Sequence, residues 1–296
     1  MLTIHSASGA SPPLTMTQLE DLLIYLNQFH QVDLTGYKRS TLMRRIRIRI
    51  QQIELENYQS YFDYLQQHPD EIKCLVDTVY INYTYFFRDP LVWQYLADQV
   101  VLQMLANTAP NDPIRVWSVG CASGEETYAL AMLFIEALGV EAFQQRVQIY
   151  GTDVDSDAIL QARQGRYLAH KIELVPPALQ EQYFERRDDV HYWRQDLFPS
   201  IDFHVHNLIQ DPPLPHIDLL VCRNLFIYFT EAAQLQALVR FYLSLEDNGF
   251  LLLGHVENLI TAAERSLFTP LNRQRKVFTK VPGAHQKNPL LLCRLP

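Results

Sequence analysis

Val116-Trp117-Ser118-Val119-Gly120-Cys121-Ala122-Ser123-Gly124-Glu125-Glu126 decides the fold of this chain. The stretch begins as the apolar run that a strand buried on both faces requires. It turns through small residues at 120, 122 and 124, then enters Thr127-Tyr128-Ala129-Leu130-Ala131-Met132-Leu133, which reads as a helix. Strand, small-residue turn and helix together form the unit with which a doubly wound sheet presents a nucleotide-like ligand at its strand ends. The spacing is G-x-A-x-G, not G-x-G-x-x-G, and two glutamates follow it. Phosphates seek the bare N–H groups of a helix start, and glutamates there would repel a pyrophosphate. A ligand with a ribose and a positive charge, such as S-adenosylmethionine, suits the turn better. By itself the stretch fits an ordinary strand-to-helix turn as well.

Beyond this unit the chain alternates strands and helices, which predicts a parallel sheet in an α/β fold. The expected strands are Ile114–Val119, Val147–Thr152, Ile201–His206, Ile217–Cys222 and Phe250–Gly254. The expected helices are Glu125–Leu138, Ser156–Gln164 and Glu231–Leu245, and Phe268 to Lys280 can supply edge strands. Residues 182–200 read as a short hairpin-like insertion.

Before residue 86 the pattern is helical. Leu19, Leu22, Leu23, Leu26 and Phe29 recur at helical spacing, with Thr17 as the expected N-cap. Lys38, Arg39, Arg44, Arg45, Arg47 and Arg49 meet no acid until Glu54. Arg45-Ile46-Arg47-Ile48-Arg49-Ile50 alternates like a strand, but apolar helical spacing continues on both sides, so a basic helix is expected. Its arginines form either a solvated face or a docking surface for an acidic partner. Pro90 biases Asp89 toward extended geometry and can open the next helix. The expected division is therefore a helical domain over 1–85 and an α/β domain over 86–296.

The net charge of −8 argues against a general nucleic-acid binder. Cys74, Cys121, Cys222 and Cys293 are scattered and form no C-x-x-C pair, as expected for a reducing cytoplasm. No signal segment and no apolar run of membrane-spanning length is read, so no direct membrane insertion is expected.

Polar groups cluster at the expected strand ends. Asp153 follows Gly151-Thr152, where a carboxylate can accept from both ribose hydroxyls; Asp155 or Ser156 fits better as a helix cap. Asn207-Leu208 follows the third strand, suited to an adenine edge and face or to a plain turn. Arg223-Asn224 ends the fourth, and Tyr228 comes soon after. His204 and His206 share one face of a strand, but no third ligand has suitable spacing, so no metal is expected.

Together these residues resemble the CheR family, the chemotaxis receptor methyltransferases. The likeness runs from about Leu34 to Lys280 and rests on six motifs in order. They are Tyr37-Lys38-Arg39-Ser40; Asn82-x-Thr84-x-Phe86-Phe87-Arg88; Trp117-Ser118-x-Gly120-Cys121-Ala122-Ser123-Gly124-Glu125-Glu126; Gly151-Thr152-Asp153-x-Asp155; Cys222-Arg223-Asn224-x-x-Ile227-Tyr228-Phe229; and Gly254-His255-x-Glu257-Asn258. The resemblance implies a Rossmann-like class I methyltransferase domain with a helical N-terminal domain and a small inserted β-subdomain. It implies S-adenosylmethionine as methyl donor, set against Asn82, Thr84, Arg88, Gly120, Glu126, Asp153, Asn207, Leu208, Arg223 and Asn224. Arg88 and Tyr228 would lie nearest the transferred methyl. The acceptors would be glutamate side chains of receptors, docked through Arg44, Arg45, Arg47 and Arg49. A non-catalytic cofactor-binding scaffold and a small-molecule methyltransferase are the alternatives.

The chain also departs from the family pattern. Thr127 stands where proline is usual, Val256 where serine is usual, and Leu245-Glu246-Asp247-Asn248-Gly249 replaces a proline–glycine–glycine turn. The insertion's turn, Arg186-Arg187-Asp188-Asp189, has no glycine. Trp193 and Tyr192 could line a pocket beside it, but the short turn leads us to expect no receptor-tail peptide there.

Overall fold

The computed structural model describes residues 14–259 and 262–284. The chain divides into two compact units between Ile81 and Asn82, a few residues before the boundary read from Pro90.

The first unit is helical: α1 (Met16–His30), α2 (Arg39–Gln52), α3 (Tyr58–Gln67) and α4 (Asp70–Val79). Thr15, not Thr17, caps α1, in a reciprocal capping box with Gln18. Leu19, Leu22, Leu23 and Leu26 are buried, while Phe29 at the end of the expected stripe is exposed. The alternating arginine–isoleucine run is helical. Only Leu42 and Ile46 of its apolar residues are fully buried, joining Tyr61, Leu65, Leu75 and Val79 in the unit's core.

The second unit begins with an irregular segment, 82–89. Next come α5 (Pro90–Tyr95), a π-helical stretch (Leu96–Val101) and α6 (Leu102–Asn107). The alternating part is β1 (Ile114–Val119), α7 (Glu125–Leu138), α8 (Val140–Arg146), β2 (Val147–Asp153) and α9 (Ser156–Gln164). An inserted region follows: β3 (Arg166–Leu168), α10 (Ala169–Ile172), α11 (Pro177–Tyr183), β4 (Phe184–Arg187) and β5 (Val190–Trp193). The chain then returns through β6 (Ile201–Val205), β7 (Ile217–Cys222), α12 (Glu231–Ser244), β8 (Leu245–Leu253), α13 (Ala262–Leu267), β9 (Phe268–Asn272) and β10 (Val277–Lys280).

The main sheet has the order β6-β2-β1-β7-β8-β10-β9. The first five strands pair in parallel, and β10 is antiparallel to both its neighbours. Trp117 on β1 is fully buried and donates its indole N–H to the Thr152 hydroxyl at 2.8 Å. Such a partner is what an interior indole needs. β8 starts earlier than expected, at Leu245, because its first turn of sequence, Glu246-Asp247-Asn248, is exposed and shows no apolar signal.

The insertion is larger than residues 182–200. Its sheet has the order β3-β5-β4, and the outer strand β3 lies before that window. Residues Gln195–Ser200 form a 3-10 helix leading back to β6. Arg186 and Arg187 belong to β4, and the turn is Asp188-Asp189, with Asp188 at φ 53°. Aspartate tolerates that conformation, so the missing glycine does not set this turn apart. Trp193 is 1% exposed and stacks on Tyr183 at 5.8 Å. It is a core residue, not a pocket wall.

Candidate functional site

β1 lies between β2 and β7, where the strand order reverses. In open α/β sheets, ligands bind in the crevice outside the carboxyl ends of the strands at such a switch point. The turn after β1 is held down there by β2. The N–H groups of Gly120 and Cys121 both donate to the Thr152 carbonyl, at 2.7 and 3.0 Å. Gly120 at φ +69° and Gly124 at φ +93° take conformations that side chains disfavour.

Asp153 organises the same loop. Its Oδ2 accepts the Ala122 N–H at 2.9 Å and its Oδ1 accepts the Asp155 N–H at 3.0 Å. Burial pushes its pKa up, against the pull of these N–H groups. Asp155 caps α9 by accepting from the N–H groups of Asp157 and Ala158, and its other oxygen accepts the Asn82 amide at 2.5 Å. Asp155 is thus the helix cap, as expected, while Asp153 holds the loop after β1 through backbone N–H groups.

Glu126, in the first turn of α7, accepts from the Ser118 hydroxyl at 2.9 Å and from Arg223 at 3.3 Å. Burial pushes its pKa up, and Arg223 opposes that shift. Arg223 does more than follow β7. Its side chain is 2% exposed, and it reaches Asp89 at 2.6 Å and the Arg88 carbonyl at 2.8 Å. Its two terminal nitrogens thus brace segment 82–89 against α7, while its buried Nε has no partner among the described residues. That segment is strained, with Phe87 at φ 52° and Asp89 at φ 59°. Strain of this kind persists only where the surroundings over-determine the backbone. Asp89, expected to be extended before Pro90, instead takes the left-handed region, held there by its pairing with Arg223.

Arg88 lies between the two strained residues. Its guanidinium carbon sits 5.5 Å from the Tyr83 ring centre and 5.6 Å from that of Tyr85, within cation–π range. Thr84 is half-buried between these tyrosines in sequence. After β6, the Asn207 Oδ1 accepts the Ile209 N–H at 3.0 Å, closing a turn. Its amide nitrogen has no protein partner among the described residues, and Leu208 beside it is buried. His204 pairs with Asp202, and His206 bonds the Pro212 carbonyl, so both histidines have structural partners.

After β7, Asn224 adopts φ 62° and Phe226–Tyr228 form a 3-10 turn ending in half-buried Tyr228. Glu257 fixes this turn. One carboxylate oxygen accepts the Phe226 N–H at 2.8 Å and the other the Gly254 N–H at 2.6 Å. Its place in the sixth motif, with Gly254, was visible in the sequence, but its bond to Phe226, 31 residues away, was not.

The donors present suit a purine nucleoside bearing a positive charge. A carboxylate has about four acceptor positions, so Asp153 keeps capacity beyond its two backbone bonds. The Asn207 amide and buried Leu208 suit a base, and Glu126 brings negative charge. A Rossmann-like sheet with a crevice of this chemistry is that of an S-adenosylmethionine-dependent methyltransferase.

Comparison with known proteins gives the family. The S-adenosylmethionine-binding domain of CheR methyltransferase matches residues 82–277, and the family's all-alpha domain matches residues 17–80. The chain belongs to the CheR methyltransferase family. It is 31% identical to chemotaxis protein methyltransferase 2 of Vibrio cholerae over 75% of this chain and 78% of that protein. The chemotaxis protein methyltransferase of Escherichia coli is 30% identical over 76% of this chain and 78% of its own length. A 104.1 kDa protein encoded in the hypE 3′ region of Rhodobacter capsulatus is 33% identical over 96% of this chain, which spans only 29% of that protein. No helix among the described residues is long and apolar enough to cross a membrane.

Proposed function

We propose that this protein transfers the methyl group of S-adenosylmethionine to glutamate side chains of chemotaxis-type receptors, giving methyl esters, and that it works in the cytoplasm. The observation that carries this reading is the convergence, at one crevice of a CheR-family chain, of Asp153, Glu126 and the Arg88 segment braced by Arg223.

In this reading Asp153 meets the ribose, Asn207 and Leu208 the base, and Gly120, Glu126, Asn82, Thr84 and the backbone at Arg223 and Asn224 complete the donor site. The sulfonium supplies an already activated methyl carbon. A glutamate carboxylate has an ordinary pKa of about 4.3, so at pH 7 it is a ready nucleophile and needs no general base. The protein's task is alignment, and effective molarities of roughly 10⁵–10⁸ M are available to well-oriented groups. Arg88, held by its tyrosines, orients a carboxylate, and the Tyr228 hydroxyl shapes the transfer slot. Of the arginines on α2, Arg44 and Arg47 are exposed and Arg45 half-buried, so these three remain as the docking face. Arg49 leaves the set, because it pairs with Glu71 inside the helical unit.

Incubation with labelled cofactor and receptor-bearing membranes tests the reading. Base-labile methyl on a receptor band is the expected result. Tight cofactor binding without transfer would point to a scaffold, and label confined to small molecules would point to another substrate class.

A further inference from the structure

After Glu264 the sequence carries seven lysines and arginines and no acid, although the chain's net charge is −8. Among the described residues of this stretch, Lys280 is neutralised. Its ammonium lies 3.4 Å from Asp247, near the amino end of β8. The other cations gather at the opposite end of that strand. The Asn272 side chain accepts the N–H groups of Gln274 and Arg275, both at 3.0 Å, closing the turn between β9 and β10. Lys276 adopts φ 58°, and its carbonyl accepts the Leu253 N–H at 3.0 Å. The turn Arg273-Gln274-Arg275-Lys276 is thereby fixed at the carboxyl edge of the sheet, the edge that carries the candidate site.

A half-open cavity of about 420 Å³ lies there. Arg265, Arg273 and Lys276 line it over an apolar floor that includes Phe268 and Pro270. Lys276 donates to the neutral side-chain oxygen of Asn258, which also lines the cavity. Among the described residues, none of the three cations has a carboxylate within ion-pair distance and no acid lines the cavity. Asn258 follows Glu257, the residue that holds the Phe226–Tyr228 turn, so the cavity flanks the proposed transfer slot.

Like charges gathered around one concavity repel each other, and an anionic partner relieves that repulsion. We propose that this cavity is a second docking surface for the methyl-accepting protein, taking acidic side chains that flank the target glutamate. The proposal rests on the receptor reading above. A substrate segment that presents glutamates is acidic by nature, and Asn258 of the cavity adjoins Glu257, which holds the turn that ends in Tyr228. The apolar floor accommodates the methylenes of those side chains.

The test is the double charge reversal Arg273→Glu with Lys276→Glu, beside the milder Arg273→Gln with Lys276→Gln. Both positions lie on a solvent-facing turn, and an unchanged melting temperature checks folding. Reversal is expected to raise the Michaelis constant for receptor about tenfold at low salt, and neutralisation less. Turnover at saturation and calorimetric affinity for the demethylated cofactor product stay the same. Co-sedimentation with receptor membranes reads docking without turnover and should weaken in parallel. Wild-type protein that sediments with receptor but transfers nothing would count against the methyl-transfer reading alone. Unchanged Michaelis constant and sedimentation in the reversed variant overturn the docking surface. The same unchanged values, with inorganic pyrophosphate bound by wild type and not by the variant, would reassign the cavity to a small anion.

Discussion

Arg223 shows how a motif residue can be legible while its task is not. The sequence puts it at a strand end beside the crevice, among the groups expected to meet the cofactor. In the fold its guanidinium ties Glu126 and Asp89 together and holds the Arg88 carbonyl. Asp153 was legible because Gly151-Thr152 brings a lone carboxylate to a strand end; that it also pins the Ala122 N–H depends on a loop 31 residues away. Removing one partner of a buried pair leaves the other charge unpaired, at a cost of about 3–5 kcal/mol. Arg223→Met should therefore destabilise by about 3 kcal/mol at pH 8, the lower end because Asp89 is 39% exposed. The pH dependence has a definite sign. Burial holds the Glu126 pKa above its usual 4.5 in the folded protein, and losing Arg223 raises it further. A carboxyl whose folded pKa is raised penalises the fold above that pKa, and the penalty fades as pH falls through it. Melting curves of the variant and wild type should thus lie closer at pH 5.5 than at pH 8. A gap that widens on acidification would show that Glu126 is not the group left unpaired.

At the scale of the element, α2 carries the same lesson about charge. Six cations with no nearby acid in sequence read as one basic face, but sequence neighbours are not spatial neighbours. Arg39 reaches Glu20 at 2.6 Å on α1, and Arg49 reaches Glu71 at 2.6 Å on α4. Glu71 is buried and also accepts the Tyr61 hydroxyl at 3.1 Å, so Arg49 closes a network in the helical core. The Arg49 pKa is raised by that hydrogen bond, and the Tyr61 pKa is raised chiefly by burial. Two functions separate along one helix. Arg49→Ala should lower the melting temperature, because it leaves a buried carboxylate without its charge partner. Arg44→Glu with Arg47→Glu should leave the melting temperature within a degree or two. It should raise the Michaelis constant for receptor in a salt-dependent way, since exposed charges are screened over about 8 Å at physiological ionic strength. Equal melting losses in the two variants would remove the distinction. Other elements were hidden for physical reasons. β3 has three residues, and its exposed Leu168 is apolar, so the sequence shows no polar–apolar alternation there. β8 opens on exposed acids, and its start is fixed by pairing of Ile217 with Leu245, a contact that no local window contains.

For the second unit as a whole, four carboxylates lie close to the crevice loops: Glu125 and Glu257 are buried, Glu126 and Asp153 half-buried. All four have pKa values pushed up, in each case chiefly by burial. Glu125 is 1% exposed and has one oxygen without a partner, with Lys171 no nearer than 4.0 Å. Such a site is costly when empty and ionised, and a bound cation relieves it. With folded pKa values raised, the free protein should gain stability as pH falls from 7 through the raised values, because the folded state binds the extra protons. The gain reverses only at lower pH, where exposed pairs such as Arg194 with Asp196 lose their carboxylate; Asp196 has a lowered pKa, so its contribution persists to the acid end. The cofactor shifts this curve. A ligand at about 100 times its dissociation constant stabilises by about 2.7 kcal/mol. For a unit of this size that is a rise of roughly 5–10 °C in melting temperature. S-adenosylmethionine carries a sulfonium that its demethylated product lacks, so its stabilising effect should decline more steeply than the product's between pH 7.5 and pH 5.5. Scanning calorimetry with each ligand at matched saturation measures the difference. Parallel declines for the two would mean that these carboxylates do not sense the sulfonium, and that the crevice recognises only the nucleoside and the amino-acid end.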